Sequence, residues 1–196
     1  MKAKGESLLT PVPMPATFEL SAVWPGQIRM HWEFGVGASK NTLTLLGSND
    51  RGWKVGNFPV AELSLEEMND LRSDTYAIWV STLTTLSDAE SKLTPAPRSK
   101  VNGDAVLGLK VSRRPWPDIT LYFDEKAGHL RKMTYRSREA GILMDKEMTF
   151  DGYKEVDGLV LPTKQSVVFK GKEVFRWTEM QYSFPEKIDP KTFEKP

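Results

Sequence analysis

The chain has no cysteine, which excludes thiol catalysis, structural disulfides and cysteine-ligated zinc. Histidine is nearly absent too. His31 and His129 are the only two, and no H-x-H or H-x-x-x-H spacing occurs. A zinc site draws on three or four protein ligands, so no metal is expected. No stretch approaches the roughly 20 apolar residues of a membrane-spanning helix. A charge excess is missing as well: 27 basic residues face 26 acidic ones, without the basic surplus typical of nucleic-acid binders. No G-x-S-x-G elbow marks a nucleophile. Gly35-Val36-Gly37-Ala38-Ser39-Lys40 echoes only the end of a phosphate-binding loop. It follows an amphipathic strand without opening a helix, and it reads as a hairpin loop. Neither a catalytic residue nor a cofactor is therefore assigned, and the chain is not expected to be an enzyme. No apolar leader follows Met1-Lys2-Ala3-Lys4, and Lys2 to Leu9 already reads as a strand. The expectation is that an export signal has been removed.

What is present is a well-filled apolar pattern. The 196 residues are 39% hydrophobic and include 14 glycines, which suits one domain spanning residues 1–196. A chain of this length buries roughly 70% of its unfolded surface without needing disulfides or metal. Turn signals recur at strand spacing. Trp24-Pro25-Gly26-Gln27 predicts a type II turn. Asn102-Gly103 and Asp157-Gly158 predict two-residue hairpins whose central residues take positive φ. Asp124-Glu125-Lys126-Ala127-Gly128 reads as a longer hairpin loop, and Lys170-Gly171-Lys172 separates two more strands. Between the turns, apolar and polar residues alternate, as in Ile28, Met30, Trp32 and Phe34 against Arg29, His31 and Glu33. Period-two patterning gives each strand one buried and one wetter face. About ten or eleven strands are expected, too many to stay flat and open.

One segment changes period. Ser64-Leu65-Glu66-Glu67 is a capping box, and Leu65, Met68, Tyr76, Trp79, Val80, Leu83 and Leu86 follow at helical spacing. The helix is predicted from Ser64 to about Leu83. Leu71 and Ile78 lie off that stripe, so the helix is either buried on more than one face or broken near Arg72-Ser73-Asp74. Its apolar side is expected against the concave side of the sheet, with Trp79 near Trp32 and Trp53. The fold class is thus mainly β with one prominent helix. The Pro- and charge-rich end is expected to be pinned by Phe193. Arg113-Arg114-Pro115-Trp116-Pro117 reads as a strand-to-strand loop or a partner-recognition tip. Both histidines read as surface residues. Six tryptophans and eight methionines leave two readings open: ordinary core, or an adaptable apolar cavity.

Several motifs in order resemble the LolA, LolB and LppX-like superfamily of lipoprotein carriers. Val101-Asn102-Gly103-Asp104-Ala105 leads into the strand from Val106 to Val111. Leu121-Tyr122-Phe123-Asp124, closing through Gly128-His129-Leu130-Arg131-Lys132, is similar to the superfamily's recurrent hairpin. Tyr153-Lys154-Glu155-Val156-Asp157-Gly158-Leu159-Val160-Leu161-Pro162 looks like its late hairpin. The likeness runs from about Phe18 to Phe193. There are two departures: no helix is read ahead of the first strand, and no arginine matches a lid latch. The resemblance implies an unclosed β-barrel with a helix in or across its mouth, a periplasmic or cell-envelope location, and an apolar cavity for a lipid or lipoprotein acyl chain. The inward-facing candidates for that cavity are Phe18, Leu20, Met30, Trp32, Leu43, Leu45 and Trp53 from the early strands. The helix adds Met68, Tyr76, Trp79 and Leu83, and the later strands add Leu109, Leu121 and Phe123. The alternative is a structural or protein-interaction domain with a filled core.

Overall fold

The structure is a computed structural model that describes residues 1–48, 50–139 and 142–195. An amino-terminal wing comprises β1 (Lys2–Ser7), β2 (Met14–Val23), β3 (Gln27–Phe34), β4 (Asn41–Ser48), β5 (Arg51–Gly56) and β6 (Phe58–Glu62). The helix α1 (Leu65–Ser81) follows. The carboxy-terminal wing comprises β7 (Lys92–Val101), β8 (Asp104–Ser112), β9 (Ile119–Asp124), β10 (Leu130–Glu139) and β11 (Ile142–Asp151). After a separate hairpin of β12 (Lys154–Val156) and β13 (Leu159–Leu161), it is completed by β14 (Lys164–Phe169) and β15 (Lys172–Gln181).

Thirteen strands form one antiparallel sheet in the order β6-β5-β4-β3-β2-β1-β15-β14-β11-β10-β9-β8-β7. The chain runs outward from the central seam to the edge at β6. It then crosses through α1 to the opposite edge at β7 and winds back until β15 pairs with β1. The helix therefore joins the two free edges of an unclosed barrel. At 1.5 Å per residue its 17 residues reach about 26 Å.

The sequence yields fewer strands than the structure shows, and for two of the missing strands the reason is proline. β6 carries Pro59, and β7 carries Pro95 and Pro97. These are the two edge strands, where a residue without an N–H can face solvent instead of a ladder. Proline there also blunts edge-to-edge association. A second correction concerns the β2–β3 connection. The Trp24–Pro25 bond is cis, and the Gly26 amide donates to the Val23 carbonyl at 3.1 Å. The turn is thus Val23–Gly26 with proline third, the type VI arrangement, not the type II turn predicted one residue later. The other turns form as read: Asn102, Gly103, Asp157, Gly158 and Gly128 all have positive φ.

The capping box is complete. The Ser64 hydroxyl accepts from the Glu67 amide at 3.2 Å, and the Glu67 carboxylate accepts from the Ser64 amide at 2.8 Å. The helix is unbroken to Ser81 and ends before Leu83, which adopts φ 65° ahead of a short 3-10 turn, Thr84–Ser87. Of the two options for Leu71 and Ile78, burial on two faces is the one observed. Met68, Leu71 and Ile78 pack with the amino-terminal wing and the seam strand β15, among Ile28, Met30, Phe18 and Trp177. Tyr76, Ala77 and Val80 pack with the other wing, among Val111, Ile119, Leu121 and Met133. The tail docks on the outer face of β3 and β4, where Phe193 is 2% exposed.

Candidate apolar site on the concave face

Strand register decides which predicted residues share the concave face, because cross-strand partners point the same way. Phe18, Trp32 and Leu43 form one row across β2, β3 and β4, and Leu20, Met30 and Leu45 form the next. All six are inward. Trp53 is not. It pairs with Leu46, whose neighbours Leu43 and Leu45 are inward, so Trp53 stands on the outer face. The inward residue of β5 at that level is Lys54, opposite Leu45. It holds Glu67 of the helix at 2.5 Å. In the other wing Leu109, Leu121 and Phe123 share one face.

The helical candidates divide between the wings. Met68 goes with the amino-terminal wing, while Tyr76, Trp79 and Leu83 go with the carboxy-terminal wing. Trp79 therefore does not approach Trp32 or Trp53 as expected. It stacks on Trp24 with centroids 6.3 Å apart, and the Arg113 guanidinium lies 4.9 Å from its ring centroid. Arg113 is held in turn by Asp88 and Glu90, each at 2.6 Å. Trp116 stacks on Tyr76 at 5.2 Å. The Arg113–Pro117 segment thus closes over the helix end, which makes it a structural loop.

The two wings cover their concave surfaces differently. Under the second half of α1, Ile119, Leu121, Met133, Val111 and Val80 are at most 1% exposed. Across the central seam, from β2 and β3 of the amino-terminal wing to β15, five rings form a continuous column. Phe34 stacks on Phe175 (6.0 Å), Phe175 on Trp177 (5.3 Å), Trp177 on Phe18 (5.8 Å) and Phe18 on Trp32 (5.0 Å). The column crosses β1, whose inward residues Ala3 and Gly5 lie opposite Phe18 and Trp177. These are small enough for the flanking rings to meet above them. Phe18 and Trp177 are buried, whereas Trp32, Phe34 and Phe175 remain half-buried. The column continues on β14 through half-buried Val167, opposite Phe175, and Phe169. From β3 to β11 this apolar strip spans five strand spacings, about 24 Å at ~4.8 Å each. Its contacts with α1 lie at the flanks, since the helix packs chiefly on β4, β9 and β10.

At the far end of the strip the register places Lys146 between Phe169 and Tyr135. Its side chain is 8% exposed, and its ammonium donates to both carboxylate oxygens of Asp74 on α1 at 2.9 Å. The sequence reading singled out neither Lys146 nor Phe34, Phe175, Trp177, Val167 and Phe169 for the site. The signal was there in the same period-two parity: Lys146 alternates in step with Met148 and Phe150.

The hydrogen bond from Lys54 and the Ser64 amide hold the Glu67 carboxyl below its ordinary range. Burial raises the Tyr76 phenol, whose oxygen has no hydrogen-bond partner among the described residues. His31 and His129 are half-buried rather than surface residues. His31 Nδ1 lies 2.7 Å from the Thr44 hydroxyl, and His129 stacks on Tyr153 at 4.3 Å. Among the described residues no group of three or more Asp, Glu or His side chains could hold a metal. Two depressions of about 390 Å³ each are shallow and partly polar: one is lined by Thr120, Thr134, Tyr135, Lys146 and Glu147, the other by Arg29, Thr44 and Lys191 on the outer face. The inward residues of the seam strands form a partly covered apolar strip on the concave face.

No family model matches the chain, and no curated protein matches it. Solved structures do. A structure described as an outer membrane lipoprotein-sorting protein domain, from Vibrio parahaemolyticus, superposes with a TM-score of 0.59 at 14% identity. The match covers 99% of this chain and 88% of that one. A LolA superfamily protein from Nitrosomonas europaea gives 0.62 at 12% identity with the same coverage. A DUF1329 family protein from Desulfovibrio piger gives 0.55 at 13% identity, covering 98% and 89%. At such identities the likeness is one of fold: this chain has the LolA-like fold along essentially its whole length.

Proposed function

We propose, with the LolA-like fold as premise, that residues 1–196 act as one non-enzymatic binding domain of the periplasm or cell envelope, and that the domain holds a lipid or lipoprotein acyl chain along the concave strip. The observation that carries this reading is the half-buried aromatic column. A core would bury Trp32, Phe34 and Phe175 as fully as the other wing buries Leu121 and Met133. Here they are left partly exposed on the inward side of the sheet, and the helix meets their cluster at its flank through Met68, Leu71 and Ile78. An acyl chain laid on them would contribute roughly 0.8 kcal/mol for each methylene it removes from water. The flat, polarisable rings accept many chain conformations. Neighbours in fold include a lipoprotein-sorting domain and a LolA superfamily protein, which supports cargo of this class.

A structural or interaction domain without a ligand is the second reading, and the filled interior under Tyr76 and Val80 favours it. Native mass spectrometry of the purified protein, followed by titration with a fluorescent fatty acid, separates the two. The carrier reading expects co-purified lipid or saturable one-to-one uptake. Trp32→Ala or Phe175→Ala should weaken that uptake by roughly tenfold, the equivalent of one or two buried methylenes. A bare chain that takes up no fatty acid at any accessible concentration would leave the structural reading in place.

A further inference from the structure

We infer that the strip's ligand carries an anionic head, that Lys146 is the group that receives it, and that Asp74 of α1 occupies the head's place in the ligand-free protein. This rests on the acyl-chain reading above and narrows it to a class: a long-chain amphiphile ending in a carboxylate or phosphate.

The argument starts from cost. A lysine ammonium with 8% of its side chain exposed lies on the apolar parity of β11, in step with Met148 and Phe150. Burying a charge there is unfavourable unless it is paired, and a well-packed apolar residue would serve stability equally well or better. The position therefore calls for a reason beyond packing. Lys146 also ends the strip. Phe169 is its cross-strand neighbour, with the ring centroid 5.8 Å from the ammonium. One row along lies Val167, opposite Phe175 at the start of the aromatic column. A chain resting on the column and running toward β11 meets a fixed positive charge where its apolar floor stops.

The partner that satisfies this charge comes from another element. Asp74 reaches down from α1 with both carboxylate oxygens 2.9 Å from the ammonium, and its side chain is 30% exposed. A carboxylate held in that way, at the end of an apolar track and open to solvent, has the shape and charge of a ligand head. Further along the same face of β10, Ser137 is fully buried with a hydroxyl that has no hydrogen-bond partner among the described residues. It lies two residues from Tyr135, the cross-strand partner of Lys146. It supplies a donor for a second head oxygen. An incoming anion exchanges with Asp74 for the ammonium, and no covalent step is needed.

The test uses the whole chain and three ligands with one tail: lauric acid, lauryl phosphate and lauryl alcohol. Affinity is read from tryptophan fluorescence and checked by calorimetry. The acid or the phosphate, or both, should bind roughly tenfold or more tightly than the alcohol, as expected for one charge-assisted hydrogen-bonded contact. Preference between the two anions identifies the head chemistry. Lys146→Met, which keeps an apolar stem, should bring the anion down to the affinity of the alcohol and leave the alcohol unchanged. Asp74→Asn should strengthen anion binding, because the competing carboxylate is gone, and should leave the alcohol unchanged. That variant decides the matter if Lys146→Met does not fold. Equal affinity for acid, phosphate and alcohol, unmoved by either substitution, would overturn the head assignment while leaving the acyl-chain reading intact. Failure of all three ligands to bind the parent protein would overturn both.

Discussion

The two wings of the sheet are built from the same kind of strand, yet they treat their inward residues in opposite ways. In the carboxy-terminal wing, aliphatic side chains and methionines from β8 to β11 close under Tyr76, Ala77 and Val80 until almost nothing is exposed. In the amino-terminal wing the helix touches down through small residues. A Cβ on Gly47 would stand 3.1 Å from Leu71, and one on Gly52 would stand 2.4 Å from Met68. Beyond that contact the ring column from Phe34 to Trp32 is left partly uncovered. The first wing is an interior in the ordinary sense, close-packed and intolerant of lost volume. The second combines a narrow seat for the helix with a broad apolar floor. The difference separates two surfaces that the aromatic-rich composition alone leaves mixed: a close-packed interior under the second half of α1, and a partly covered apolar floor along β3, β2, β15 and β14, which is the proposed seat of the ligand.

The sharpest way to break this comparison is to truncate one residue of each kind. Leu121 is fully buried. Leu121→Ala should cost stability in the upper part of the ~2–5 kcal/mol range for buried leucines. Phe175 is half-buried, and Phe175→Ala should cost roughly half of the 3–5 kcal/mol of a fully buried phenylalanine. Binding should sort the other way. A fatty acid should raise the melting temperature of the parent and of Leu121→Ala, because it binds the folded state, and should do much less for Phe175→Ala. Urea denaturation with and without the fatty acid reads both effects. Equal stability losses with equal ligand shifts would show that the wings are one continuous core.

A middle-sized effect is expected where the helix meets its seat. The new methyl of Gly52→Ala would be built 2.4 Å from the Met68 sulfur and 2.7 Å from the Leu46 carbonyl oxygen. Met68 can swing aside, but the carbonyl belongs to the β4 ladder and cannot. Overpacking of this sort costs about 1–3 kcal/mol. Faster hydrogen exchange should be confined to the first half of α1, around Met68 and Leu71, leaving Tyr76 to Val80 protected by the other wing. Uniform loosening along the helix would mean that its two halves are not seated independently.

How much of this could be read before the structure follows from which forces act locally. The capping box, the period change and the Asn102-Gly103 and Asp157-Gly158 turns depend on residues next to one another in the chain, and they formed as expected. Leu71 and Ile78 left two options, a second buried face or a break near Arg72-Ser73-Asp74, and the structure shows the first, with one face per wing. What the sequence could not settle was which wing each face would meet. That depends on the order of the strands, and the order follows from β1 pairing with β15 across nearly the whole chain. Trp79 was accordingly set against the wrong partners. Trp53 was misplaced for a local reason: the inward parity of β5 is held by Lys54, a charged residue that pattern-reading assigns to solvent. Lys146 was passed over for the same reason. An inward charge looks like an error in an amphipathic pattern until its partner on another element is seen.

The smallest effect sharpens how each wing holds the helix. The amino-terminal wing uses exposed ion pairs, Lys54 with Glu67 at 2.5 Å and Arg72 with Asp50 at 2.9 Å. Glu67 gains most from Lys54 and next from the Ser64 amide, and both depress its carboxyl below the usual value of 4.5. The sign follows directly. A carboxyl whose folded pKa lies below its unfolded one contributes stability that is fully present above pH 4.5 and is lost as the pH falls through the folded value. The Glu67 side chain is 38% exposed, so solvent screening keeps the contribution under about 1 kcal/mol. Glu67→Gln preserves an oxygen for the Ser64 amide and removes only the charge. At pH 7 it should be slightly less stable than the parent. That gap should narrow in high salt, where exposed pairs are screened, and should close as the pH falls through the folded value and the parent carboxyl is itself protonated. Melting temperatures of the two proteins across that pH range check the prediction. A gap that persisted undiminished in acid would mean that Glu67 works through the neutral geometry of the cap alone, and that Lys54 contributes nothing to seating the helix on the amino-terminal wing.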